Sequence, residues 1–461
     1  MRSKPSILKT FKLFFLYYAI AIVILIGILL VFVLTNDFGS RGTISIVLDM
    51  LSRLIKYPLA YVILLIPYLL YRLIKSLIND YKRRQLYGFC KGLFLKVILP
   101  IIIIWGGVLS INWYRQAENY NYDWDYSVEN KSAAIRNLYL KDKKQRGIHF
   151  FGRSKDSISF EILKTNNIEW LTLVPFLSQE YHDKPELNTG FRSNDSTPRH
   201  QRWRRLINKA NSYGFKIMFK PHIWLNNRSN GIWRSNIKMK SQEDWNAWFN
   251  EYSACILDYA SLAEELNIAL FCIGTELHTP AIEQPEQWQD LIKKIRGVYS
   301  GKLTYGANWD SELQDIPFWD ALDYIGVQAY FPIATGNNPT LSELELGWRK
   351  HLKTLETLHK TYKKPILFTE LGYKSTIDAG LKPWEWNTVG NRFYKRISKR
   401  TQALCYEAFF NTVWQQDWLE GVHLWEWQSR NHNGDGNNNA FTIQHKPALN
   451  VVAKGFGEVL K

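Results

Sequence analysis

From Arg146 onward the chain alternates short apolar runs with longer amphipathic stretches eight times over. The apolar runs fall at 147–151, 168–174, 215–221, 268–275, 302–307, 323–330, 365–370 and 421–427. Runs of this length, bounded by polar or glycine-bearing segments, read as buried strands. The stretches at about 155–166, 199–213, 243–266, 286–299, 311–320, 342–361, 399–418 and 446–457 read as helices. The clearest is 243–266, where Trp245, Trp248, Phe249, Tyr252, Ile256, Tyr259, Ala263 and Leu266 recur at helical steps. Ser241 stands as its cap, with Glu243 and Asp244 in the first turn. Eight strand–helix units in succession predict an α/β chain closed into a (β/α)8 barrel. A doubly wound sheet would place a glycine-rich phosphate turn after its first strand, and PheGlyArgSerLys at that position is not one. The chain carries no Walker motif and no zinc motif.

Two of the runs end on glutamate. Glu276 closes the fourth, and Glu370 closes the seventh. Catalytic groups of such barrels sit at the carboxyl ends of strands, and strands four and seven lie across the mouth from one another. A carboxyl pair about 5–5.5 Å apart is what a retaining glycosidase needs, one to protonate the departing oxygen and one to attack the anomeric carbon. Glu426 is the rival carboxylate. It alternates with Trp425 and Trp427, so a regular strand would turn it away from the side those rings line. Trp224, Trp309, Trp425 and Trp427 fall at or just after strand ends, where rings can stack on sugar faces; for Trp427 core packing is the stronger reading. His222 and Asn308 can bond sugar hydroxyls or serve as structural hydrogen-bonders, the two readings equally open, and His149 at the end of strand one is a weaker candidate. Glu385 lies on the loop after strand seven, with binding and plain exposure equally open. The run 430–439 lacks the bidentate acid of a calcium loop and reads as a rim loop.

The front of the chain differs. Residues 1–115 hold 15 of the 58 Lys and Arg but 3 of the 42 Asp and Glu, so the net charge of +16 belongs mostly to this segment. The body shows no basic domain, which argues against nucleic acid. Uncharged stretches at 13–34, 57–71 and 97–113 predict about three membrane spans before a linker at 116–145 and the barrel at 146–461. Basic residues cluster before the first stretch and between the second and third. The positive-inside rule then puts the N-terminus in the cytoplasm and the barrel outside, on a multi-pass anchor in the lipid bilayer. Cys90, Cys255, Cys272 and Cys405 lack metal-ligand spacing and read as free buried thiols.

Five motifs in barrel order carry a family resemblance. They are IleGlyThrGluLeu (273–277), LeuThrTyrGlyAlaAsnTrpAsp (303–310), LeuAspTyrIleGlyValGlnAlaTyrPhePro (322–332), PheThrGluLeuGlyTyr (368–373) and GlyValHisLeuTrpGluTrp (421–427). Residues 146–457 resemble glycoside hydrolase family 113, retaining barrels whose characterised members are mainly β-1,4-mannanases. The resemblance implies Glu276 as general acid/base, Glu370 as nucleophile and Tyr330 as hydrogen-bond donor to the nucleophile. It also favours sugar contact for Trp309 and Trp425. Thr275 stands where many relatives have an asparagine that holds the sugar 2-hydroxyl, and Gln328 stands where an acid is common. Both departures bear on which sugar is taken. The expectation is a membrane-anchored retaining β-glycosidase acting on a polysaccharide, β-mannan or a related glycan, with no cofactor or metal. A silent glycan-binding protein and a transglycosylase on the same barrel are the alternatives.

Overall fold

The computed structural model describes residues 58–115, 118, 120–122, 137–188, 197–228, 231–386, 395–429, 436 and 438–460. The chain divides into two compact units, residues 1–112 and 113–461.

In the first unit, α1 (Pro58–Leu93) loses helical geometry at Arg84 and Gln85, then passes through a π-helical turn at Phe94–Ile98 into α2 (Leu99–Arg115). The chain folds back at the break. Lys96 Nζ donates to Ser76 Oγ at 2.7 Å and pairs with Asp80. Gly88 and Gly92 make the approach feasible, because a Cβ at either would strike Asp80. Among the described residues one helical stretch, Tyr68–Tyr114, is long and apolar enough to cross a membrane. This corrects the expectation of about three spans. The 13–34 stretch lies outside the described residues. The 57–71 stretch is no separate element, because helix-forming Arg72, Lys75 and Lys82 carry α1 onward past it. The 97–113 stretch falls within the same Tyr68–Tyr114 segment. Cys90 is exposed rather than buried, whereas Cys255, Cys272 and Cys405 are buried free thiols.

The second unit is a closed barrel of eight parallel strands. In chain order they are β1 (Gln145–Phe151), β2 (Trp170–Leu173), β5 (Lys216–Phe219), β7 (Leu270–Thr275), β8 (Lys302–Asn308), β9 (Tyr324–Gln328), β10 (Ile366–Leu371) and β11 (Leu419–Gln428). The ring closes by pairing β1 with β11. Every expected strand is present to within a few residues. Helices α3 (Ser157–Thr165), α4 (Thr197–Ser212), α5 (Gln242–Glu265), α6 (Pro285–Arg296), α7 (Leu341–Tyr362), α8 (Lys399–Thr412) and α9 (Pro447–Gly457) follow the strands as the alternation predicts. Ser241 caps α5 by accepting from the Asp244 amide. The expected helix at 311–320 shrinks to single turns at Glu312–Asp315 and Trp319–Ala321. Pro317 lies between them and disfavours helix in the residue before it.

Outward strand residues such as Ile148, Phe219, Phe271, Ile325, Phe368 and Leu424 join the helices in one core. The inner face is stacked in levels. Trp170, Met218, Leu270, Tyr324 and Leu367 form an apolar plug at the amino ends. Above it His423 bridges Thr172 (2.7 Å) and Gln145 (2.9 Å). At the carboxyl ends the level turns fully polar, with His149, Lys220, Gln328, Thr369 and Glu370 all buried.

A feature absent from the alternation is a small sheet of β3 (Phe176–Gln179), β4 (Leu187–Asn188) and β6 (His222–Leu225). β3 and β6 continue β2 and β5 beyond the barrel rim and pair in the same parallel register. Pro175 and Pro221 fall in the gap, where each removes an amide donor and so interrupts the ladder. Lys220, immediately before Pro221, sits at that interruption.

Close strand packing leaves no room on the inner face at Gly326, where a Cβ would lie 2.1 Å from the Tyr305 carbonyl oxygen. Backbone cannot yield as a side chain can. Gly326→Ala is expected to destabilise the barrel by about 1–3 kcal/mol, read as a lower urea midpoint with an unchanged slope.

Candidate active site

Both strand-end glutamates sit at irregularities. The β7–β8 ladder shifts register between Cys272 and Thr275, and Glu276 follows with a left-handed φ of 54°. The ladders flanking β10 shift after Phe368 on both sides. Such slips re-aim side chains at a barrel rim. Here Thr369 and Glu370, consecutive residues, both bond to groups of the polar upper level.

Glu370 is 5 % exposed and closely held. Lys220 Nζ donates to its Oε1 at 2.5 Å, and the Tyr330 hydroxyl donates to Oε2 at 2.7 Å. Lys220 also reaches Gln328 Oε1 at 3.0 Å, and the same oxygen accepts from the Thr369 hydroxyl at 2.8 Å. Burial alone would push the Glu370 carboxyl up. The Lys220 ammonium outweighs it and holds this carboxyl well below the usual range. His149 Nε2 and His222 Nε2 lie 3.8 and 3.6 Å from Glu370 Oε1. Burial and the Lys220 charge hold both imidazoles neutral, His149 down to about 3. Burial and the adjacent carboxylate keep the Tyr330 phenol protonated, so it remains a donor.

Glu276 stands in different surroundings. Its Oε2 accepts from the Trp233 indole at 2.6 Å and lies 3.6 Å from Arg234 Nε. A buried relay fixes the turn behind it: the Leu277 amide donates to the Tyr305 hydroxyl at 2.7 Å, which donates to Glu312 Oε1 at 2.6 Å. Glu312 also accepts from the Asn308 amide at 3.0 Å. Burial pushes its carboxyl up to about 8 against these bonds.

Glu276 and Glu370 line one cavity of about 550 Å³. It also takes in His222, Trp224, Asn308, Trp309, Tyr330 and Trp425 from the expected set. Thr275 and Trp427 are not among its lining residues. Thr275 is buried in β7, and Trp427 is packed into the main core. Glu426, expected to face away from Trp425, lines the cavity beside it. The reason is local: the β1–β11 register slips between Ile148 and Phe150, so Trp425 and Glu426 both fall in the slip and strict alternation fails. Burial raises the Glu426 carboxyl to about 7. Glu385 is spent on Lys395, at 2.5 Å. His149 is buried beneath Trp425, with ring centroids 4.9 Å apart.

Several lining residues gave no warning in the sequence. Trp233 and Arg234 stand at the start of a single 3-10 turn, Arg234–Asn236, after β6, and Trp384 and Trp386 flank Glu385. Trp384 packs on Trp309 at 5.3 Å, and Trp386 meets Trp425 and Phe441 at 5.9 and 5.4 Å. Lys220 was the most legible of the missed groups, as a lone charge closing an apolar strand. Among the described residues no cluster of His, Cys, Asp and Glu could hold a metal ion.

No curated protein matches the chain. Among solved structures, the GH113 β-mannanase AaManA from Alicyclobacillus acidocaldarius, in complex with ManMIm, is 26 % identical with a TM-score of 0.58. The match covers 68 % of this chain and 97 % of that one. A complex structure of a GH113 β-1,4-mannanase is 25 % identical with the same TM-score, over 68 % of this chain and 99 % of that one. The sequence profile of Glycoside Hydrolase Family 113 matches residues 143–446, nearly two thirds of the chain, with all eight strands and both glutamates inside. The barrel is that of a β-glycoside hydrolase, and the chain belongs to glycoside hydrolase family 113.

Proposed function

We propose that the chain is a retaining β-glycosidase that cleaves β-1,4-mannan or a related glycan, with Glu370 as nucleophile and Glu276 as general acid/base. The observation that carries this reading is the contrast between the two carboxyls in one cavity. Glu370 is buried, ionised by Lys220 and oriented by Tyr330. Glu276 lies nearer solvent, with one oxygen held by Trp233. The ionised oxygen of Glu370 attacks the anomeric carbon while Glu276 gives its proton to the departing oxygen, leaving a glycosyl ester on Glu370. Glu276 then takes a proton from the water that cleaves the ester. Trp224, Trp309, Trp384, Trp386 and Trp425 supply faces for the sugar rings. The β-1,4-mannan preference rests on the two structural relatives named as mannanases.

Membrane attachment through the front unit is part of the proposal, supported by the helical segment Tyr68–Tyr114, which contains a window apolar enough to cross a membrane. The seven Lys and Arg at 72–96, against Arg115 just past residue 113, favour a cytoplasmic 72–96 segment and, with 97–113 as the crossing, an extracytoplasmic barrel. Protease added to intact spheroplasts is expected to digest the barrel, and protection of the barrel would reverse the orientation.

Glu276→Gln is expected to lower kcat by about 10²–10⁴-fold, and Glu370→Gln by at least as much. A 2-deoxy-2-fluoro-β-mannosyl fluoride should leave a covalent adduct on the peptide containing Glu370, read by mass spectrometry. Turnover in both variants, or an adduct elsewhere, would sink the assignment.

Lys220→Met removes the charge that overcomes the burial of Glu370. Burial then dominates, the carboxyl gains affinity for its proton, and the nucleophile becomes ionised only at higher pH. The acid limb of kcat/KM is expected to move to higher pH. Stability should fall by about 3–5 kcal/mol, the cost of leaving one partner of a buried pair alone. An unmoved acid limb in folded protein would show that Lys220 does not set this charge.

A further inference from the structure

Beyond its 3.6 Å approach to Glu276, Arg234 has no part in the chemistry above. Its side chain lines the catalytic cavity yet is only 7 % exposed. Its Nε and Nη1 are buried and find no hydrogen-bond acceptor among the described residues. Its ion-pair contact among those residues is Glu276, and at 3.6 Å it is too long for a hydrogen bond. The nearer Glu276 oxygen is already taken by Trp233, whose ring also lies 4.6 Å beneath the Arg234 guanidinium. The side chain is therefore stacked, fixed and short of acceptors.

A buried guanidinium needs both hydrogen-bond acceptors and a counter-charge. Glu276 can supply the charge only while ionised. In the reaction proposed above it must begin the cycle carrying a proton, and Arg234 then faces the cavity with no compensating anion beside it. A neutral sugar could offer hydroxyls to the free donors but no charge. A carboxylate on the sugar offers both, in the geometry that guanidinium groups favour.

The cavity's other charged lining residues are Asp310, Glu370 and Glu426, with Glu370 paired to Lys220, so the further cations stand on the wall around Arg234 and not throughout the cavity. Arg228 stacks at 4.1 Å on Trp224, on the same wall as Trp233. A second hollow of about 420 Å³ adjoins the cavity through Phe151 and Phe176, and its charged lining residues are Arg153 and Arg202.

We propose that Arg234 is a specificity-determining residue that binds a carboxylate on the sugar at the leaving-group side of the scissile bond, making an acidic β-glycan the preferred ligand. The choice of side rests on the reading of Glu276 as the acid. The carboxylate preference itself does not depend on turnover.

The test uses the full-length chain in detergent, carrying Glu370→Gln to stop catalysis. Two probes are titrated by calorimetry: β-1,4-mannotetraose and the β-1,4-linked mannuronate tetramer. They differ only in bearing hydroxymethyl or carboxylate at C6. The acidic tetramer is expected to bind about tenfold or more tightly than the neutral one. Adding Arg234→Met should bring that ratio to about one or below. Arg234→Lys, which keeps the charge but not the fork, should fall between. The ratio is internally controlled, because a variant that loses its fold loses both ligands; Arg234→Lys and the salt sensitivity of the acidic tetramer then decide. Equal binding of the two tetramers, a ratio that survives Arg234→Met, or binding of neither would overturn the proposal. Failure of the fluoroglycoside adduct with the binding ratio intact would instead count against the catalytic reading alone.

Discussion

The buried contact between Lys220 and Glu370 is the constraint around which the barrel mouth is organised. Removing two charges from water is costly, and their attraction repays it only with good geometry and further hydrogen bonds. The barrel supplies those from several strands: Gln328 to the ammonium, Tyr330 to the carboxylate, and Thr369 to the amide that binds the ammonium. None of these groups is near Lys220 in sequence. Closure of the ring brings them within reach, and the same closure leaves Glu370 only 5 % exposed. The fold thereby presents an ionised oxygen whose orientation is fixed before any ligand arrives, the kind of preorganisation on which charge-developing reactions depend.

The two glutamates are distinguished by surroundings rather than by position. Each lies at a strand end and each follows a register slip. One is enclosed by a cation and a phenol, the other by an indole and a guanidinium at longer range. Identical side chains can serve opposite ends of an acid–base cycle when their neighbours separate them in this way.

The strands were legible because a buried strand announces itself over five to eight consecutive residues, and the eightfold count then implied closure. Glu276 and Glu370 were legible as polar ends of apolar runs, although the roles proposed for them came from the family resemblance. What escaped was set by contacts remote in sequence. Pairing of β3 with β6 joins short runs more than 40 residues apart. The placement of Glu426 was misread because alternation assumes a regular ladder, and the slip against β1 appears only when both strands are seen together. Trp233 and Arg234 come from a single turn with no periodicity to mark them. In the front unit, hydropathy alone could not show that α1 continues through charged residues before the chain turns back.

The continuation of β2 and β5 into β3 and β6 makes one side of the cleft unlike the rest. Trp224 stands there on a strand that is hydrogen-bonded in register with its neighbour, 39 % exposed and stacked by Arg228. Its backbone position is inherited from the barrel and owes nothing to the residue it carries. Side chains at this place can change without moving the wall, so that under the proposed function the raised edge is a position where sugar preference can vary while the groups below stay in place.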